Sequence, residues 1–157
     1  MIMTPLWPAF TDAYTLRDTK WIRSAVSKSN KLNFLLCIPL VIMLILCDQI
    51  YFYWIGPEIK IPFEINLLLM IFVAISIFKE TYVSFINGVG KLNLQTLFSI
   101  VTIVFQVPLA YFLAKVCHLG LSGILLLNIF WVIVGLILWK IQYYFIMNAQ
   151  SIKKIWN

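Results

Sequence analysis

Four apolar runs decide most of what this chain can become. Residues 32–55, 62–86, 92–114 and 119–139 each exceed the roughly 20 residues that a helix needs to cross about 30 Å of hydrocarbon. Backbone N–H and C=O groups find no water in lipid, so runs of this length are predicted to be helices. Composition agrees, with 62% hydrophobic and 11% charged residues and a mean hydropathy of +0.95. That is more apolar than a water-soluble core requires. The predicted class is an all-α integral membrane protein with four transmembrane helices.

Between the runs lie short segments of turn chemistry, GPEIK (56–60), NGVGK (87–91) and KVCHLG (115–120). Gly56 with Pro57, and Gly88 with Gly90, are strong breaks. Pro39 and Pro108 fall inside the first and third runs, where each removes a backbone donor and is expected to kink its helix. Ala110 and Ala114, four apart, allow a close helix contact. Cys37, Cys47 and Cys117 stand in or beside apolar runs without a C-x-x-C pair, and read as small core residues.

The chain carries twelve bases and six acids, a formal charge of +6. The bases are not gathered on one soluble face, so they read as topology signals and no nucleic-acid partner is expected. A cytoplasmic N-terminus puts Arg17, Lys20, Arg23, Lys28, Lys31, Lys79, Lys91, Lys140, Lys153 and Lys154 on one side, and only Lys60 and Lys115 on the other. The asymmetry predicts cytoplasmic termini at both ends of the chain. Tyr51, Tyr53 and Trp54, and Trp139, Tyr143 and Tyr144, fit aromatic belts at the two interfaces.

Residues 1–31 have their own character: the end of a partial membrane helix, followed by a basic connector. With Asp18 as N-cap, TKWIRSAVSKS sets Trp21, Ile22, Ala25 and Val26 on one helical face and Lys20, Arg23, Ser24, Ser27 and Lys28 mostly on the other. The expectation is an amphipathic helix on the cytoplasmic surface, its bases near lipid phosphates, with a solvated connector as the plainer reading. Residues 32–147 then form the four-helix domain and 148–157 a cytoplasmic tail.

No nucleotide loop, metal-ligand spacing or nucleophile-base set is present, so neither an enzyme nor a cofactor is expected. The informative residues are ionisable groups at membrane depth, which are costly unless paired or wetted. Lys79 and Glu80 fall near the cytoplasmic boundary of the second run; adjacent on a helix, they point different ways. Lys79 either faces a cavity or snorkels to the interface. Asp48 lies deep in the first run with no base beside it, either an ion-coupling carboxylate or a wet outer-rim residue. Asn33, Asn66, Gln95, Gln106 and Asn128 are read first as amides that join helices and second as substrate ligands. The single histidine, His118, falls in an external loop and is a weak proton-relay candidate.

Beyond these readings, the stretch TPLWPAFTDAYTLRDTKWI (4–22) resembles the region around the end of the eighth helix in bacterial lipid-linked oligosaccharide flippases. These are the O-antigen or polysaccharide-repeat-unit transporters of the multidrug/oligosaccharidyl-lipid/polysaccharide superfamily. WIGPEIKIPFEI (54–65), FINGVGKLNLQ (85–95) and IQYYFIMNAQSIKKIWN (141–157) follow in matching order. The resemblance implies part of the second of two lobes that rock to carry an undecaprenyl-pyrophosphate-linked sugar unit across the bacterial inner membrane. It implies the last third or so of such a transporter, inactive alone because alternating access needs two halves. The missing half, or other polysaccharide-assembly membrane proteins, would then be partners alongside membrane lipid and the lipid-linked oligosaccharide. Lys79 and Lys91 become candidates for the substrate's phosphates, and Asp48 and Glu80 for ion coupling. Two other classes stay open: a self-contained four-helix accessory or structural subunit, and a small dimeric exporter centred on a membrane acid.

Overall fold

Every regular element in the computed structural model is a helix, and the residues it describes are 6–56 and 61–148. The GPEIK connection beyond Gly56, with Glu58 and Lys60, lies outside the described residues, as do residues 1–5 and the tail after Asn148. The elements are α1 (Leu6–Thr15), α2 (Thr19–Ile45), α3 (Cys47–Trp54), α4 (Phe63–Val89), α5 (Asn93–Tyr111), and α6 (Gly120–Met147), with a π-helical turn at Phe112–Val116 after α5. Four segments are long and apolar enough to cross a membrane: α2, α4, α5 with its π turn, and α6.

Helix α1 has 10 residues, about 15 Å at 1.5 Å per residue, and cannot span. Pro8 is tolerated because it stands in the first turn, where N–H groups have no intrahelical partner. The helix ends before Arg17, whose φ of 56° turns the chain into α2. There the expected cap forms, with the Trp21 N–H donating to the Asp18 carboxylate at 2.9 Å, satisfying one orphan donor of the first turn.

The polar connector and the first apolar run are one helix. Residues 31 and 32 mark the change in side-chain character, yet α2 passes through them unbroken, because backbone bonding does not depend on side-chain polarity. The apolar face of the connector also has a different neighbour from the one expected. Ile22 and Val26 are buried in a cluster with Phe10, Tyr82 and Phe85, so protein covers them, while Trp21 stays partly exposed.

The first span comes in two pieces. The α2 helix continues past Pro39 and stops at Leu46, whose φ of −92° and ψ of 1° interrupt it before α3 begins. Likewise α5 continues past Pro108, and the irregularity follows it: the Cys117 N–H bonds the Phe112 carbonyl at 3.0 Å, a five-residue step that widens the last turn. By contrast α4 ends cleanly. Gly90 takes φ 77° and its N–H bonds the carbonyls of Ile86 and Asn87, the left-handed stop that a residue without Cβ adopts at little cost.

Helix α4 is the centre of the arrangement. Helices α1, α2 and α6 pack on it, and α5 packs on α6 at the edge. The connected core occupies only one end of the bundle. It joins α1, the start of α2, the last turns of α4 and α6, and Leu94 at the start of α5. Phe10 and Phe85 are fully buried there, edge to face at 5.5 Å, and Phe85 meets Tyr143 at 5.1 Å.

Gly88 sets how closely α1 and α4 approach. A Cβ at this position would stand 2.7 Å from Phe10 Cβ and 2.9 Å from the Trp7 carbonyl oxygen. The Thr11 hydroxyl donates to the Gly88 carbonyl at 2.8 Å across the same contact. The segment around Trp7–Tyr14 and the FINGVGK segment, distant in sequence, therefore form one packed unit.

Candidate functional site: a basic cleft between two helices

The helix seams are joined by amides. The Asn33 amide of α2, 1% exposed, donates to the Ile77 carbonyl at 3.0 Å and the Thr81 hydroxyl at 2.9 Å on α4. Between α3 and α4, the Tyr51 hydroxyl donates to Asn66 Oδ1 at 2.8 Å. Between α5 and α6, Gln106 Nε2 donates to Asn128 Oδ1 at 2.9 Å. Four of the five amides singled out in the sequence thus tie one helix to the next, as lipid provides no hydrophobic drive to hold helices together. The fifth, Gln95, has a buried Oε1 without a partner. Gln142, fully buried, is an additional tie: its Nε2 donates to the Lys91 carbonyl at 2.9 Å.

A cleft of about 490 Å³ opens at the packed end between α2 and α6, with Tyr82 of α4 contributing to its wall. From α2 come Arg23, Ser27, Asn30, Lys31 and Phe34, and from the other side Tyr143, Tyr144 and Asn148. Positions 23, 27, 30, 31 and 34 follow the 3.6-residue period and form one stripe. It runs beside the buried stripe of Ile22, Val26, Ser29 and Asn33, so docking the second stripe on α4 aims the first at α6. Arg23 reaches across, its Nη2 3.4 Å from Asn148 Oδ1. Asn30 Nδ2 donates to the Tyr82 hydroxyl at 3.4 Å, leaving a buried Oδ1 without a partner. The lining contains two cations and no carboxylate among the described residues.

The residues chosen from the sequence lie elsewhere. Lys79 is half-buried, and its stem rests on α6: a Cβ on Gly135 would be 3.4 Å from Lys79 Cδ and 3.6 Å from the Phe98 ring. Glu80 is exposed on a different face of α4. Lys91 is in the α4–α5 turn beside Gln142. Asp48 is exposed at the far end of the bundle, where its carboxylate accepts from the Cys47 thiol at 3.8 Å. The structure does not bring these four into one site. Among the described residues no three His, Cys, Asp or Glu side chains converge as a metal site.

The opposite end holds a smaller and different hollow. About 220 Å³ lies between α2, α3 and α4, lined mainly by apolar residues such as Met43, Leu69 and Met70 around the Tyr51–Asn66 pair. No family model, curated protein or solved structure matches this chain.

Proposed function

We propose that this chain is part of one lobe of a bacterial inner-membrane flippase that carries undecaprenyl-pyrophosphate-linked oligosaccharide units by alternating access. The observation that carries the reading is the one-ended packing. The connected core gathers at the end rich in bases, while toward the other end the buried apolar side chains are fewer, Leu127, Ile129 and Val132 of α6 with Cys47 of α3, and amide contacts join the seams. In a lobe that rocks against its partner, a firmly packed end at one membrane face serves as the pivot and the less tightly packed end travels farther. The ordered motif resemblance supplies the substrate class.

By the positive-inside rule the packed end is cytoplasmic, because Arg17, Lys20, Arg23, Lys28, Lys31, Lys79, Lys91 and Lys140 belong to the helix segments on that side, and Lys115 to the other. In this reading Lys79 and Lys91 contact the substrate's phosphates through charge-assisted hydrogen bonds. Asp48 and Glu80 serve ion coupling, and the remaining lobe completes the pathway. The test is disruption of the locus in the source bacterium. Lipid-linked repeat units should accumulate in the inner leaflet and surface polysaccharide should be lost. Normal surface polysaccharide would refute the flippase reading and leave the accessory-subunit and small-exporter readings.

A further inference from the structure

We infer that the cleft between α2 and α6 is a binding site for the phosphate group of an anionic membrane lipid. The inference stands independently of the flippase reading, since it concerns a membrane-surface site on this chain alone.

Three observations carry it. The first is charge: Arg23 and Lys31 line the cleft with no acid among its described lining residues. Eight residues apart on one helix, they stand about 12 Å apart along its axis, and their flexible side chains can close on one group between them. Arg23 spends a single N–H on Asn148, so most of its five donors are available. The second is unsatisfied polarity. Buried Asn30 Oδ1 has no partner, and a buried acceptor left so is costly; a hydroxyl on a lipid headgroup supplies the donor.

The third is depth. The first span's run without a charged residue starts just after Lys31, so that residue marks the hydrocarbon boundary and Arg23 lies in the headgroup layer or beyond it. Below Lys31 the cleft ends on Phe34, 69% exposed and edge to face with Phe78 at 4.8 Å. A ligand here meets cations and amides above and an aromatic surface open to lipid chains below. This gradient fits an amphiphile better than a free ion. Basic pockets between membrane helices on the cytoplasmic side recognise anionic headgroups by the same combination.

The test uses the full chain, delipidated in detergent, with phosphatidylglycerol and phosphatidylcholine offered separately and retained lipid counted by native mass spectrometry. Wild type should prefer phosphatidylglycerol. Arg23→Gln and Lys31→Gln should each lower that preference about fivefold, and the double variant about thirtyfold. Lys28→Gln, an exposed base on the same helix but outside the cleft, should change it less than twofold. All three positions are surface charges, and unchanged helicity by circular dichroism confirms folding. Equal retention of the two lipids, or equal losses for Lys28→Gln and Arg23→Gln, would overturn the site. Displacement of the lipid by millimolar inorganic phosphate or pyrophosphate would overturn the lipid assignment in favour of a free-anion site.

Discussion

The two ends of this helix bundle are built by different rules. At the basic end, aromatic and aliphatic side chains from five helices interdigitate: Phe10 with Trp21 and Phe85, Tyr82 with Tyr143, and Phe98 with Trp139. At the other end, the large apolar side chains of α3 and the latter part of α5 are mostly exposed, Tyr53 and Trp54 at 86% each and Val107 at 72%. That half is held by a shorter buried strip, Leu127, Ile129 and Val132 of α6, with a hydroxyl-amide bond, an amide-amide bond and a glycine contact, where a Cβ on Gly123 would meet Leu113 at 3.1 Å. The difference follows from the surroundings. Water drives apolar burial, whereas lipid chains are as apolar as leucine, so helices immersed in them adhere through close contacts and hydrogen bonds.

Substitutions at the two ends should separate these rules. The largest effect is expected for Phe85→Ala, which removes the centre of the aromatic cluster and should cost about 3–5 kcal/mol of unfolding free energy in bicelles. A loss no greater than that of a lipid-facing Phe52→Ala control would break the comparison. Next comes Gly88→Ala, whose new Cβ must displace Phe10 or the α1 backbone. A destabilisation of about 1–3 kcal/mol is expected, with faster proteolysis of the 6–15 segment. Full protection there would show that α1 is not seated on α4 as described.

Asn33→Leu removes two hydrogen bonds and should cost about 1–2 kcal/mol, and Thr81→Val in the same background should add little because the pair acts together. The smallest effect belongs to the far end. Gln106→Leu, breaking one amide pair in lipid, should cost about 0.6 kcal/mol. A far larger loss would mean that polar contacts, rather than lipid-matched surfaces, dominate that half.

These contrasts also show what the sequence could reveal. The four spans were legible because hydrocarbon thickness imposes a length on apolar runs, and the cap at Asp18 because its side chain acts within one helical turn. Asn33, Asn66, Gln106 and Asn128 were legible as helix ties because a buried amide in lipid must find a partner. The Leu46 break was not, since no glycine or proline marks it and Pro39 is almost two turns earlier. Nor was the direction of the Ile22–Val26 face, as an apolar stripe does not say whether lipid or protein covers it. The α2–α6 cleft needed tertiary adjacency. Its stripe at 23, 27, 30, 31 and 34 is visible in the sequence, but Tyr82, Tyr143 and Asn148 reach it only once α2 and α6 lie side by side on α4. For Lys79 the apolar stem mattered as much as the charge, and its resting place on Gly135 belongs to the α4–α6 seam.

On the proposed function, the basic end is the firm pivot of the lobe and the opposite end, with fewer buried contacts, is the end that moves. Paired spin labels in lipid nanodiscs address it directly, after replacement of Cys37, Cys47 and Cys117 by serine. One pair at Lys20→Cys and Lys140→Cys would report the basic end, and another at Phe52→Cys and Leu121→Cys the opposite end. The account predicts a narrow distance distribution for the first pair and a broad or two-peaked one for the second. Equally narrow distributions, or a broader one at the basic end, would contradict it.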